Sequence, residues 1–114
     1  MAQFMMLLNV SGQAPAGSPE EMQEILKRYG DWSRKLGESG KLVNGAKLAD
    51  DRGRLLRNEG SRVVVDGPFS ETKEMIGGFF IVEAENYDAA AEVAKTCPHL
   101  ELGGTIELRQ VDNM

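Results

Sequence analysis

Few residues in this chain can cross-link it or hold a metal, because its 114 residues include one cysteine, Cys97, and one histidine, His99. A single cysteine excludes an intramolecular disulfide, and with it the disulfide scaffolds of small secreted proteins. One histidine and one cysteine without paired spacing exclude a closed zinc site, so we predict neither a metal nor another cofactor. This composition fits the reducing cytoplasm.

Long apolar runs are also missing from the sequence. No stretch approaches the roughly 20 apolar residues that a membrane-spanning helix needs. The first segment, MAQFMMLLNV, is apolar but lacks the basic region and the cleavage site of a secretory signal. We therefore expect a cytoplasmic protein that does not insert into a membrane.

Basic residues are outnumbered, with 13 Lys and Arg against 18 Asp and Glu, which gives a net charge of −5. Nucleic-acid binding depends on Lys and Arg side chains that neutralise phosphates, so we expect no direct contact with nucleic acid. The apolar share of 41% is ordinary for a soluble domain, and the length favours one domain over residues 1–114.

The clearest helix signal is Ser18-Pro19-Glu20-Glu21, which combines a capping serine, a proline suited to the first turn and a capping-box glutamate. An apolar stripe at helical spacing follows, and it includes Tyr29 and Trp32, which we interpret as core residues. Gly37 and Gly40 end this helix.

Short apolar segments predict strands over residues 4–10, 42–48, 77–83 and 105–111, and a β-hairpin from 54–57 and 61–65 around Asn58-Glu59-Gly60. Asn86 can cap a second helix over residues 87–96, which Cys97-Pro98 ends. This order predicts an α+β, ferredoxin-like fold, with an antiparallel sheet, two helices on one face and an inserted β-hairpin. Nothing in the chain covers the other sheet face, so we expect a homodimer built sheet against sheet.

Several short motifs follow one another along the chain: Val65-Asp66-Gly67-Pro68-Phe69, Glu71-Thr72-Lys73-Glu74, Gly77-Gly78-Phe79, Cys97-Pro98-His99-Leu100, Gly103-Gly104 and Ile106-Glu107-Leu108-Arg109. This ordered set resembles the DGPF-domain branch of the YCII-related family, and the resemblance spans nearly the whole chain. One departure is Arg109-Gln110, where family members commonly have Arg-Pro.

The resemblance implies a ferredoxin-like fold of the dimeric α/β barrel type. One type of family member is similar to an enzyme that removes chloride from a chlorinated hydroxyhydroquinone, and relatives have been proposed to use an Asp and His pair. Relatives also occur beside, or fused to, extracytoplasmic-function sigma factors. The resemblance therefore implies either an enzyme that acts on small molecules or a regulatory module with a sigma-factor partner.

Asp66 and His99 are the candidate catalytic residues. Asp66 fits an Asx-turn at the end of a strand, and the alternative is a catalytic carboxylate. We interpret His99 as a histidine in a surface loop. The alternative is that His99 is a general acid or base that titrates near neutral pH. Together the two would form a common acid/base arrangement in which the carboxylate orients the imidazole.

The binding candidates are Lys73, Glu74, Gly77 and Gly78. Lys73 and Glu74 fit a solvated turn, and Lys73 could alternatively bind a substrate carboxylate or phenolate. Gly77 and Gly78 indicate a bulge, or a close approach of backbone or ligand. Cys97 lacks a nearby basic activator other than His99, so we do not assign it as a nucleophile.

We predict a small-molecule pocket between the Asp66 turn, the Gly77-Gly78 strand and His99. The first hypothesis is cofactor-independent acid/base catalysis on a small aromatic or carboxylated compound. The second is a non-catalytic ligand-binding or regulatory module that docks a sigma-factor-type transcription partner.

Overall fold

A computed structural model describes residues 1–10, 18–49, 53–66 and 75–112, and of Asp66 only the backbone. The elements are β1 Ala2–Val10, α1 Pro19–Glu38, β2 Leu42–Lys47, β3 Leu55–Glu59, β4 Arg62–Asp66, β5 Met75–Ala84, α2 Tyr87–Ala94, α3 Pro98–Glu101 and β6 Thr105–Gln110. None of the helices in these ranges is long and apolar enough to cross a membrane.

Four strands form one antiparallel sheet in the order β2-β5-β1-β6. The hairpin of β3 and β4 forms a separate two-stranded sheet between β2 and β5 in the chain. This arrangement confirms the predicted α+β, ferredoxin-like fold with an inserted hairpin.

One face of the sheet carries the core, because side chains alternate between the two faces of a strand. Phe4, Met6 and Leu8 of β1 are buried on this face, beside Val82 of β5. Both long helices contribute to the same cluster, through residues such as Leu36. The predicted placement of two helices on one face is therefore confirmed.

Local signals explain why α1 begins and ends where it does. The Ser18 side chain accepts a hydrogen bond from the Glu21 amide at 3.1 Å, and Pro19 occupies the first turn. After Glu38 the chain turns through Gly40, whose φ of 78° lies in the left-handed region that favours glycine.

The aromatic residues of α1 connect it to the rest of the core. Trp32 packs edge-to-face on Phe80 of β5 with ring centroids 4.9 Å apart, and its Nε1 donates to Thr96 Oγ1 at 2.8 Å. Tyr29 is half-buried against the same cluster. Both aromatic residues therefore lie on the core side of α1, as the helical stripe predicts.

The opposite sheet face is apolar at its centre. Met5 pairs with Ile81 and Leu7 pairs with Phe79 in the register of β1 and β5, and all four side chains are only partly buried. The core cluster to which α1 and α2 contribute lies on the other side of the sheet. This half-exposed apolar surface, Met5, Leu7, Phe79 and Ile81, is called the open face below.

The hairpin differs in register from the prediction. Asn58 pairs with Val63 and Glu59 with Arg62, so Asn58 and Glu59 belong to β3 and the connecting turn is Gly60-Ser61. Gly60 has a φ of 68°, which favours glycine at this turn position.

The segment after α2 also differs from the prediction. The second helix ends at Ala94, and a short helix, α3, begins at Pro98. Proline has a fixed φ and lacks an amide proton, so it ends a helix before it but fits the first turn of a new one. Only the first of these two properties leads to the predicted helix end at Cys97-Pro98.

Candidate functional site

His99 lies in α3 and is buried, with 6% of its surface exposed. The interpretation as a surface-loop histidine is therefore wrong. A Cys-Pro helix stop suggests that an irregular loop follows, whereas Pro98 begins a helical turn. That turn packs against α1 and β6, and its histidine ring faces the interior.

Both ring nitrogens of His99 have hydrogen-bond partners. Nε2 lies 2.9 Å from the backbone carbonyl oxygen of Asn9, and Nδ1 lies 3.0 Å from the hydroxyl oxygen of Tyr29. A carbonyl oxygen can only accept, so Nε2 carries a proton. In the neutral imidazole Nδ1 is then the acceptor, and the Tyr29 hydroxyl donates to it.

Gly104 makes room for this ring. A Cβ atom at Gly104 would overlap Nε2 and the adjacent carbons of His99. The Gly104 amide also donates to the His99 carbonyl at 3.1 Å, which closes the turn after α3. Gly103, with a φ of 86°, makes the preceding turn. Gly103 and Gly104 therefore allow the His99 ring to occupy its buried position.

Two ionisable groups beside His99 are held in their neutral forms. Burial, with a smaller contribution from Cys97, raises the pKa of Tyr29 to about 12, while Arg28 acts in the opposite direction. Burial also raises the pKa of the Cys97 thiol, and a hydrogen bond from the His99 backbone opposes this shift. A buried, protonated thiol is a poor nucleophile, so Cys97 is not a reactive residue in this fold.

An ion pair joins the two helices that carry Tyr29 and His99. The guanidinium of Arg28 on α1 contacts the carboxylate of Glu101 on α3, and both side chains are partly exposed. An exposed pair of this kind contributes little stability, about 0–1 kcal/mol. It does place opposite charges one residue from Tyr29 and two residues from His99.

Gly77 and Gly78 lie in β5 at the end of the sheet that carries Asn9. A Cβ atom on Gly77 would lie 3.0 Å from Val10 Cγ1, and one on Gly78 would lie 2.8 Å from the Ala46 carbonyl oxygen. The register of β1 and β5 shifts between Leu8 and Asn9, opposite these glycines. Strand packing and a local irregularity therefore account for both, and a role in ligand binding stays a prediction.

The other predicted site residues are not placed. Asp66 ends β4, where its backbone pairs with Leu55 in the hairpin, and its side chain lies outside the described residues. Lys73 and Glu74 also lie outside them. The predicted contact between Asp66 and His99 stays a prediction, and it would have to replace Asn9 or Tyr29 at one ring nitrogen.

A metal site has no support in residues 1–10, 18–49, 53–66 and 75–112, where no group of three or more His, Cys, Asp or Glu could hold an ion. The groups that do meet at His99 are the Tyr29 hydroxyl and the Asn9 carbonyl, which the sequence analysis did not assign to a site. Their sequence separations of 70 and 90 residues leave no local signal for either contact.

Comparison with known proteins supports the fold and gives the family. The chain is 34% identical over 82 residues to an uncharacterized protein of Rhizobium meliloti (strain 1021), a match over 70% of this chain and 66% of that protein. The match thus spans just under two thirds of that relative's length.

The fold is similar to that of 5-chloro-2-hydroxyhydroquinone dehydrochlorinase (TftG) from Burkholderia phenoliruptrix AC1100, whose structure contains 2,5-dihydroxybenzoquinone. The TM-score is 0.51 at 16% identity, over 98% of this chain and 95% of that chain. At this identity the similarity shows a shared fold. The model of the YCII-related domain matches residues 2–114, and the chain belongs to this family.

Proposed function

We propose that this protein binds a small aromatic or carboxylated compound and performs cofactor-independent acid/base chemistry on it, with His99 as the group that gains or loses the proton. The observation that carries the proposal is the arrangement at His99, where a buried imidazole lies between a backbone carbonyl and a tyrosine hydroxyl. Imidazole is the side chain whose unperturbed pKa lies nearest neutral pH.

The fixed tautomer supports this role. Because the Asn9 carbonyl holds the proton on Nε2, the lone pair on Nδ1 is the one that accepts a further proton. A general base needs such an oriented lone pair within hydrogen-bond reach of the proton that it takes. After protonation the Nε2–H bond to Asn9 stays in place, and the new Nδ1–H can donate to the Tyr29 oxygen.

Asp66, Lys73, Glu74, Gly77 and Gly78 keep their roles in the proposal as residues around the ligand. Met75, which follows Glu74 directly, pairs with Val10, and Val10 is next to the Asn9 whose carbonyl contacts His99. Strand β5 therefore begins at the end of the sheet where the Asn9 carbonyl contacts His99. In the proposal, Lys73 binds a carboxylate or phenolate of the ligand, and Asp66 orients polar groups of the site.

The proposal includes a homodimer that covers the open face. An antiparallel sheet can face water on one side, but then this side is normally polar. Here the central positions are Met5, Leu7, Phe79 and Ile81. A second copy would present the same four side chains, as a twofold interface requires.

The test is a titration of the protein with 2,5-dihydroxybenzoquinone, a small hydroxylated ring that the structure of similar fold contains. Since His99 is the single histidine, its imidazole signals in an NMR spectrum can be followed without ambiguity. We expect saturable shifts of these signals, and weaker binding by the His99→Gln and Asp66→Asn variants. Unchanged His99 signals at saturating probe would contradict the proposal.

A non-catalytic ligand-binding or regulatory module is the second candidate function. It is favoured by the low exposure of the His99 ring and by the two partners that already occupy its nitrogens. This candidate predicts that His99→Gln binds the probe as tightly as the unmodified protein. A sigma-factor partner belongs to this candidate and would be tested by co-purification with such a factor.

A further inference from the structure

The hydrogen bonds of His99 leave no ring nitrogen free for a substrate. Nε2 is bonded to the Asn9 carbonyl and Nδ1 to Tyr29, and only 6% of the residue is exposed. Tyr29, by contrast, is only partly buried on α1. Any proton that reaches Nδ1 without disruption of this arrangement has to pass through the Tyr29 hydroxyl.

We propose that Tyr29 is the catalytic group that contacts the substrate, and that His99 acts through it. This inference rests on the acid/base function proposed above and names the hydroxyl at which that function operates. It also favours substrates with an acidic hydroxyl, such as phenols, because a hydroxyl can donate to the tyrosine oxygen in line with the existing bond to Nδ1.

The proton step balances within these groups. The substrate hydroxyl gives its proton to the Tyr29 oxygen, while the O–H bond of Tyr29 breaks and its proton bonds to the lone pair of Nδ1. The substrate keeps the electron pair of its former O–H bond and becomes a phenolate. His99 becomes an imidazolium whose two N–H groups donate to Tyr29 and Asn9, and the reverse step returns the proton.

The surroundings of Tyr29 suit this role. Its raised pKa keeps the hydroxyl protonated at neutral pH, so it can donate to Nδ1 rather than act as a tyrosinate. The charged and titratable groups beside it are Arg28, which is paired with Glu101, and the buried Cys97 thiol. The paired Arg28 and Glu101 side chains add no net charge.

Tyr87 offers a matched control. It is the second of the two tyrosines in the chain and begins α2. Its hydroxyl oxygen accepts a hydrogen bond from the Gln110 amide at 2.8 Å, and its ring packs against Phe4. Tyr87→Phe therefore removes a hydroxyl of similar chemistry that has no contact with His99.

The first part of the experiment tests the hydrogen bond without a ligand. The ¹⁵N shift of His99 Nδ1 is compared in the unmodified protein, Tyr29→Phe and Tyr87→Phe. Loss of the tyrosine donor is expected to move the Nδ1 signal toward the value of an unbonded acceptor nitrogen in Tyr29→Phe alone. An unchanged Nδ1 signal in Tyr29→Phe would overturn the proposal.

The second part tests proton transfer with 4-nitrophenol, a phenol whose phenolate absorbs visible light. Below the pKa of the free phenol, the unmodified protein and Tyr87→Phe are expected to raise the phenolate fraction of the bound probe. Tyr29→Phe is expected to bind the probe within a few-fold of the same affinity but to leave its phenolate fraction unchanged. Equal phenolate fractions in all three proteins would overturn the role of Tyr29.

The two parts separate the inference from the function on which it rests. If the unmodified protein binds no 4-nitrophenol, the function as a phenol-binding enzyme fails and the catalytic role of Tyr29 fails with it. If binding occurs with ionisation that does not depend on Tyr29, the function survives and only the relay through Tyr29 fails.

Discussion

At the scale of single residues, the site depends on one contact that only glycine permits. The His99 ring occupies the space in which a side chain at Gly104 would lie. The position of the His99 ring therefore explains why residue 104 is a glycine. The pair Gly103-Gly104 was recognised in the sequence, but its relation to the ring could not be, since it depends on how α3 turns back.

The Gly104→Ala substitution tests this contact. We expect the ring to be displaced from Asn9 and the free energy of unfolding to fall by about 1–3 kcal/mol, the usual cost of overpacking. Urea unfolding measures the stability, and the His99 ¹⁵N shifts report the position of the ring. Unchanged stability together with unchanged His99 shifts would show that the ring does not pack against Gly104.

The raised pKa of Tyr29 predicts a loss of stability at alkaline pH. The unfolded tyrosine ionises near its ordinary value of 10.0, whereas the folded hydroxyl keeps its proton up to about 12. Between these values the folded state binds more protons than the unfolded state, so stability falls as pH rises. The stability of Tyr29→Phe should fall less steeply over this window than that of Tyr87→Phe, as urea unfolding at several pH values can measure.

If the two phenylalanine variants show the same pH dependence from 10 to 12, the hydroxyl of Tyr29 is not held in its neutral form. Both variants keep the buried Cys97 thiol, whose own raised pKa contributes in the same direction.

At the scale of elements, the helices and strands that were predicted best are those whose sequence signals act between residues close together in the chain. Helix α1 was predicted from the Ser18 cap and the apolar stripe, both of which act within a few residues. Strand positions followed from apolar runs, although β1 and β5 each begin two residues earlier than predicted, at Ala2 and Met75. Tertiary pairing with neighbouring strands sets these ends.

The features that were predicted incorrectly involve residues that fit more than one local structure. Proline fits both the end of a helical region and the start of a new helix, so the sequence alone does not reveal that Pro98 begins α3 and that His99 lies in it. In the hairpin, Asn58 and Glu59 fit the predicted turn, yet both belong to β3 and the turn consists of Gly60 and Ser61. The Tyr29 contact joins two helices across 70 residues and has no local signal.

Gly30 is one of two glycines in helix α1, and its replacement should stabilise the protein. Gly30 lies in the middle of the helix, and a Cβ atom there would meet nothing within 4 Å. Gly30→Ala should raise the free energy of unfolding by about 1 kcal/mol, because alanine loses less backbone entropy in a helix. Urea unfolding would show this as a higher midpoint at an unchanged slope.

Gly45→Ala is the contrasting substitution in a strand. A Cβ atom at Gly45 would lie 2.6 Å from Cδ1 of Phe80, so this change should destabilise the protein. Equal effects of the two substitutions would mean that Gly30 or Gly45 is packed differently from the described structure.

At the scale of the whole molecule, the chain is flat, with extents of 48 × 44 × 18 Å. Its radius of gyration of 16.2 Å exceeds the about 13 Å expected for a compact domain of this length. The hairpin exposes apolar side chains, including Leu56, Val63 and Val65, each about 60% exposed. An isolated two-stranded hairpin is only marginally stable in water. The exposed apolar side chains of the hairpin are therefore a further reason to expect that a second copy of the chain covers them.

The proposed homodimer is tested by sedimentation velocity on the unmodified protein and on Leu7→Glu. Leu7 pairs with Phe79 near the middle of the open face, so a buried charge there should convert the dimer to a monomer. Lys27→Glu, on an exposed position of α1, is the control and should stay dimeric. A monomer at micromolar concentration of the unmodified protein would contradict the proposed interface.

The measurement that tests the central claim most directly is a long-range ¹H–¹⁵N correlation spectrum of the unmodified protein at neutral pH. The claim is that Asn9 holds a proton on Nε2 of His99 while Tyr29 donates to Nδ1. For the neutral form of the imidazole, the account predicts a protonated Nε2 and an acceptor Nδ1. A neutral imidazole with its proton on Nδ1, or the rapidly exchanging mixture of tautomers seen in free histidine, would contradict it.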